Sequence, residues 1–485
     1  MTSLPFLYSD FHGGLNTKDS AYLLTDNQSR DLLNVQGTTA GAISKRRGLM
    51  TFATPPVLLT SVAAFGDPTS PMLIGAGGTN LYSISAAGVV TSIQTGLTAG
   101  THWEWVQSQV VSGPQGPMYG MNGVDTPQQW AGSGSAAAWT ATSGTLQNGK
   151  YMVLAGNRIW VAGVAAYPSR VFFSDLIPAN NGPVTWPAAN VSIFDENDGS
   201  PITGLGHVGP YIMVAKSGKL YLITDFNTGD ARRLSDNVGV VSHRSIAEAP
   251  EGTYFLAETR GVYLTNGSKI TPISDNIKPT LDAIPATVKA TAAGIYFDGH
   301  YYLSVNTLGT IGSNDTTLDF DSALQSWWRH SFGSNQFVTQ HFQPNVPILM
   351  SAKGTSAVVD QCFVNGVTTD NGQMFTWVWR GPWQSPTFYR RRRFPTPYFK
   401  KRFRQVRFDG EGSVDFSVAT DFNPAETLKL SSTLGGGGAN IGRARVYSIG
   451  VFNAISPVFS ATSNTQDMVI SYVLIITDRR DLIVA

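Results

Sequence analysis

Cysteine is all but absent: Cys362 is the only one in 485 residues. A single thiol excludes an intramolecular disulfide framework and any multi-cysteine metal site. The chain is not expected to need oxidation, and assembly in a cytoplasm is the simpler reading. Charge is also scarce, at 14% Asp, Glu, Lys and Arg with a formal net of +1, so only local clustering of charge can point to a partner. No apolar run approaches the length of a membrane-spanning helix, and Met1-Thr2-Ser3-Leu4-Pro5-Phe6 lacks the basic and apolar regions of a secretory signal. Catalytic vocabulary is thin. The histidines, His12, His102, His207, His243, His300, His330 and His341, stand isolated from one another, with no H-E-x-x-H and no Cys/His spacing. There is no G-x-S-x-G elbow, and Gly75-Ala76-Gly77-Gly78-Thr79 lacks the Lys-Ser/Thr of a phosphate loop. The expectation is a protein that is not an enzyme and carries neither cofactor nor metal.

What is present is glycine (50), proline (26), 11% aromatic residues and 42% apolar residues, a composition suited to many short strands joined by tight turns. A small or polar residue followed by alternating apolar and aromatic residues recurs. It appears as Asn80-Leu81-Tyr82-Ser83-Ile84, Arg158-Ile159-Trp160-Val161, Lys219-Leu220-Tyr221-Leu222-Ile223, Gly261-Val262-Tyr263-Leu264 and His300-Tyr301-Tyr302-Leu303-Ser304-Val305. The later copies lie roughly 40 residues apart, as in the four-stranded blades of a β-propeller. The earlier copies are further apart, which predicts insertions or blades lacking the signature. Asn122-Gly123, Asp198-Gly199, Asn266-Gly267, Asp298-Gly299 and Asp409-Gly410 supply the positive φ angles of hairpin turns. Two short helices are predicted, over 25–33 with Thr25 capping and Gln28 in the box position, and over 277–284 with Pro279 in the first turn.

The fold expected is therefore mainly β: a propeller of six or seven irregular blades with a small β-sandwich or platform formed by the carboxy-terminal region and the amino-terminal arm. Residues 1–55 read as the arm, packing on the platform or on a neighbouring subunit, 56–385 as the propeller and 386–485 as the sheet or sandwich domain. Near 385, Pro382, Pro386, Pro395 and Pro397 break regular pairing. Beyond them Arg404-Gln405-Val406-Arg407-Phe408 and Ser413-Val414-Asp415-Phe416-Ser417-Val418 read as two strands of a hairpin turned at Asp409-Gly410. Trp327-Trp328 are expected to fill the gap to a neighbouring blade, and Trp103, Trp105, Trp130, Trp139 and Trp186 to pack between blades. The densest acidic groups, Asp195-Glu196-Asn197-Asp198 and Asp319 with Asp321, read as turn and blade-edge acids. A glycosidase pair across a cleft and an oxygen-rich calcium loop at 195–198 are the sharper alternatives.

Arg390, Arg391, Arg392, Arg393, Lys400, Lys401, Arg402 and Arg404, with Arg407, crowd one short segment among Tyr389, Phe394, Tyr398 and Phe399. Such density is costly unless anions or acidic surfaces neutralise it. A solvated loop, contact with acidic residues of a neighbouring subunit, and sequence-independent contact with nucleic-acid phosphates are the three readings.

The first fifty residues carry the pattern Phe11-His12-Gly13-Gly14-Leu15-Asn16-Thr17, then Gln28, Asn34-Val35, Gly41 and Lys45-Arg46-Arg47-Gly48. This arm, with Lys401-Arg402-Phe403-Arg404-Gln405-Val406, resembles the propeller-bearing nozzle or hub proteins of short bacteriophage tails. The resemblance implies a virion structural protein that forms a six-fold ring around the DNA-ejection channel. It would be assembled in the host cytoplasm, contact viral DNA non-specifically and link a tail adaptor to fibres or a spike. A receptor-binding or glycan-degrading tail propeller is the alternative, and the repeated S-x-D-x-G-x-T-W box of sialidase propellers is missing from the sequence.

Overall fold

The computed structural model describes residues 4–8, 10–38, 41–66, 70–108, 116–178, 184–259, 261–309, 313–343, 346–384, 401–434, 442–452, 454–462 and 469–479. Among these, seven four-stranded antiparallel sheets follow one another along the chain. The first strands of the seven blades are Leu59–Phe65, Glu104–Gln107, Tyr151–Ala155, Ile202–Val208, Ala247–Ala249, Ala293–Phe297 and Ser334–Gln343. Each first strand touches the first strand of the next blade, and the last touches the first, so the ring closes around a central channel. The protein is a seven-bladed β-propeller.

Blade spacing is more even than the sequence signature suggests, with first strands starting at 59, 104, 151, 202, 247, 293 and 334. The signature falls on second strands in blades 3 (Arg158–Ala162) and 6 (His300–Val305), but on third strands in blades 1 (Asn80–Ile84), 4 (Leu220–Ile223) and 5 (Gly261–Thr265). Both middle strands of a blade are packed on both faces, so both carry the same apolar run. Strand choice accounts for much of the uneven spacing. Seven apolar cores glue neighbouring blades together. Trp103 and Trp130 lie between blades 1 and 2, and Trp139 and Trp186 between blades 2 and 3, as expected.

Blade 7 is completed from the other end of the chain. Its outer strand is Gly48–Ala53, paired with Val359–Val364. The sequence places 48–53 in the arm, but the structure places these residues in the propeller, because the outer edge of blade 7 needs a partner strand. The reverse holds for Thr376–Arg380, inside the expected propeller span, which pairs with Ile455–Thr462 and with Asp31–Leu33 in the second body.

The second body is organised by one 20-residue strand, Lys401–Thr420. Its first half pairs with Gly442–Phe452 on one edge and Val469–Arg479 on the other. Its second half pairs with Asn423–Leu434 and Ile455–Thr462. The expected hairpin at Asp409-Gly410 does not form. The strand runs on through both residues, shifts register there and passes from one sheet to the other, helped by Gly412 at φ +85°. Phe408 of the first half then meets Phe416 and Phe459 of the second sheet at ring distances of 5.6 and 5.1 Å, so the two halves face each other as a sandwich. The real turn is at Asp421 and Phe422, both at positive φ, between Thr420 and Asn423.

The arm forms no helix at 25–33. Gln28 does reach Thr25 N through Oε1 at 3.4 Å, but the chain extends into Gln28–Ser29 and Asp31–Leu33 because both find strand partners, Gly14–Leu15 and Thr376–Arg380. The helix Lys278–Asp282 does form, with Pro279 in its first turn. No helix among the described residues is long and apolar enough to cross a membrane.

Candidate functional site

Among the described residues, the joint between propeller and sandwich and the mouth of the central channel each gather buried charged residues. The joint is built by the arm. Asn34 is fully buried at φ +56°. Its Nδ2 donates to Ser331 Oγ (2.9 Å) of the blade 6–7 link and to Thr376 O (2.7 Å) of the sandwich sheet. Its Oδ1 accepts from Ser331 N and Arg46 Nε, both at 2.9 Å. Arg46, 1% exposed, lies between the rings of Phe375 (3.9 Å) and Phe332 (5.1 Å) and forks onto Asp370 at 2.9 and 2.5 Å. Planarity and delocalised charge let a guanidinium stack and pair at once, which an ammonium cannot do.

Glycines of the arm close the joint. A Cβ at Gly48 would sit 2.1 Å from Thr369 O, and Gly14, at φ +59°, lies under the backbone of Trp327. Phe11 meets Trp379 edge-on at 5.1 Å. Trp327 and Trp328 belong to the outer strand of blade 6. They pack into the core that blades 5 and 6 share with the arm and sandwich, where the sequence expected a simple inter-blade gap. The described arm residues thus lie against their own chain's blades and sandwich.

Beside the joint, Asp319 is fully buried and accepts from Gln36 Nε2 (3.0 Å) while touching His300 Nδ1 (2.7 Å) and His330 Nε2 (3.1 Å). Burial opposes the charge on His300, but Asp319, with Asp321 and Asp298, outweighs it and holds its pKa up at about 9. The Asp319 carboxyl, despite the penalty of burial, is held well below its usual range by the two imidazoles. His300 opens onto a cleft of about 480 Å³ between the arm and blades 6 and 7, shared with Lys45 and Arg47. Burial and the neighbouring Arg46 pull the Lys45 pKa down to about 8.

The channel mouth gathers His102, Glu104, Tyr151, His243 and Arg244 from three different blade entrances. Glu104 Oε1 accepts from His102 Nε2 (2.8 Å) and faces His243 Nε2 at 3.2 Å. Leu205 N donates to His243 Nδ1 at 3.2 Å, which fixes Nε2 as the protonated nitrogen turned to Glu104. Burial works against the Glu104 carboxylate, but the two histidines outweigh it and keep it ionised. Arg244 sits on the 3₁₀ turn His243–Ser245, anchored by Ser242 Oγ, which donates its one proton to Ala292 O at 2.6 Å with Ala290 O at 3.0 Å alongside. Histidines that are isolated in the sequence therefore form two pairs, each around one buried carboxylate. Their only linear signal is that each carboxylate stands on a blade strand near a histidine, Glu104 by His102 and Asp319 by His330.

The other sequence-predicted sites fall out differently. Arg390, Arg391, Arg392, Arg393 and Lys400 lie outside the described residues. Lys401, Arg402 and Arg404 stand on the first half of the long strand, where Lys401 pairs in register with Phe452 and Arg479, and Arg402 with Val451 and Asp478. The calcium-like loop is occupied by the protein's own cations. Asp198 takes Lys216 Nζ at 2.8 Å and Lys219 Nζ at 2.9 Å, while Asp195 takes Lys219 at 2.7 Å, Arg233 and Tyr221 Oη. Asp321 caps Ala323 N and Leu324 N, and Asp319 is consumed by its histidines, so these two acids do not face each other across a cleft. No group of three His, Cys, Asp or Glu residues among the described residues could hold a metal ion.

No protein-family model and no curated protein matches the chain. Solved propellers resemble it at low identity. The WD40 domain of Pan2 from Neurospora crassa is 10% identical over 67% of this chain and 96% of its own, with a TM-score of 0.41. The extracellular domain of the two-component protein BT4673 from B. thetaiotaomicron is 10% identical over 89% of this chain and 59% of its own, at 0.45. A gluconolactonase, XC5397 from Xanthomonas campestris, is 11% identical over 69% and 97%, at 0.33. These likenesses bear on the fold alone, and the propeller stands on its own closed ring of seven sheets.

Proposed function

We propose that this chain is a non-enzymatic structural subunit of a short phage tail, a nozzle or hub whose copies form a ring around the DNA-ejection channel. The supporting observation is the use made of the residues that carry the resemblance. Phe11, Gly14, Asn34, Val35, Arg46 and Gly48 are buried in the joint that locks the propeller onto the sandwich. A joint that buries this many side chains and ties both bodies together through Asn34 and Arg46 suits a part that transmits load between them. In this reading the ring contacts fall to the sandwich, whose outer strands Asn423–Leu434 and Gly442–Phe452 expose Leu428 and Tyr447 at 59% and 63%. Exposed edges of that length invite a neighbour. The basic segment from Arg390 to Arg404 then meets either acidic residues of the next subunit or DNA phosphates, with adaptor and fibres or spike bound at the two ends of the ring.

Negative-stain electron microscopy of the purified chain, alone and with a tail adaptor, tests this. Six-fold rings with a central hole are expected. Separate discs under both conditions would overturn the ring and favour a glycan-binding or glycan-degrading propeller.

A further inference from the structure

Arg244 is the unusual residue of the channel. It is partly buried in the wall, and its Nη1 donates to the Asn335 carbonyl at 2.7 Å. No carboxylate among the described residues reaches it within ion-pair distance, although Glu104 lies close enough to act on it through space. Glu104 instead turns Oε1 to both His102 and His243. A guanidinium carries five N–H donors, so one carbonyl leaves most of them without a partner. Arg244 faces a cavity of about 350 Å³ at the channel mouth, which Lys150, exposed at the rim, also lines. Val124 and Val241 give the same cavity an apolar side, and it meets a second cavity of about 290 Å³ at His243 and Arg244. Burial pulls the Arg244 pKa down, against the opposing pull of Glu104 and Tyr151.

We propose that the channel mouth binds a small organic acid, its carboxylate forked on Arg244 and steered by Lys150, its carbon body against Val124 and Val241. A planar carboxylate matches the guanidinium fork in two parallel hydrogen bonds. The cavity has room for an acid of about six carbons, within the usual size range of small-molecule sites. Glu104 sets the specificity. Its fixed negative charge near the same cavity disfavours multiply charged anions, whereas one carboxylate balances the positive charge that Arg244 and Lys150 leave over. The site is independent of ring assembly, because every residue in it belongs to one propeller.

Isothermal titration of the full chain in low-chloride buffer tests it, with glucuronate, inorganic phosphate and glucose as probes. Glucuronate is expected to bind and glucose not to. Arg244→Gln should weaken glucuronate about tenfold or more. Since Arg244 also ties the turn to blade 7, Lys150→Gln at the exposed rim is the second variant, with a several-fold loss expected in an undisturbed fold. Equal binding of glucose, phosphate bound in preference to glucuronate, or affinity unchanged in both variants would overturn the proposal, as would no glucuronate binding at all.

Discussion

In the propeller, blades 1 to 6 are each closed by strands that are consecutive in sequence, and blade 7 borrows one strand, Gly48–Ala53, from the far end of the chain. In the sandwich, three of the nine strand pairs among the described residues are remote: Asp31–Leu33 with Thr376–Arg380, Ile43–Lys45 with Val469–Arg479, and Leu4–Tyr8 with the same last strand. Local hairpins close small loops at little entropic cost. Pairs more than 300 residues apart must wait until most of the chain is in place. The propeller is thus a repeated local solution, and the sandwich with its joint a single global one that depends on a few buried polar residues.

Removing those residues should break the comparison most sharply. Arg46→Met strips Asp370 of its cationic partner, leaving it the Leu49 N–H, and puts an uncharged thioether between Phe332 and Phe375. A loss of about 3–5 kcal/mol is expected, with sandwich and propeller unfolding in two resolved steps in a denaturant titration. One unchanged transition would show that the joint contributes little. The His300–Asp319 pair sets a pH effect of about 3 kcal/mol at most, from a pKa of about 9 against 6.5 unfolded. Here the native state holds the extra proton, so the contribution is complete below about pH 6.5 and is lost as pH rises through 9. His300→Gln should flatten stability against pH across that window; an equally steep curve in the variant would place the effect elsewhere.

Asn34→Gly keeps the positive φ but deletes four side-chain hydrogen bonds, three of them across the joint, for an expected cost of about 2–3 kcal/mol. A smaller loss in urea midpoint would mean water replaces them. The smallest effect belongs to the blade periphery. Lys219 bridges Asp195 and Asp198 half-buried at the blade surface, where Arg233 still pairs with Asp195 and Lys216 with Asp198, and Lys219→Met should leave the melting temperature within scatter of the parent while Arg46→Met lowers it by many degrees.

The same contrast explains what was legible in advance. The Asp298-Gly299 hairpin, both residues at positive φ between Phe297 and His300, follows from its dipeptide, and so does the helix behind Pro279. Asp409-Gly410 has the same chemistry and forms no turn, because strands on both edges hold the chain extended through it. Asp421-Phe422 turns without glycine, supported by Phe422 against Tyr22 and Trp383 at 5.8 and 5.2 Å, contacts that local sequence does not announce. The channel site was invisible for a related reason. His102 and His243 are separated by more than 100 residues and meet only when the ring closes.

By itself the sequence determined that this chain makes many short two-face-buried strands and tight turns, because alternation and glycine placement act over a few residues. The tertiary structure decided which strands share a sheet, where the arm lies, and which lone histidines and arginines become partners. Those choices turn on contacts between distant segments, whose energy appears only once closure has brought them together and excluded water.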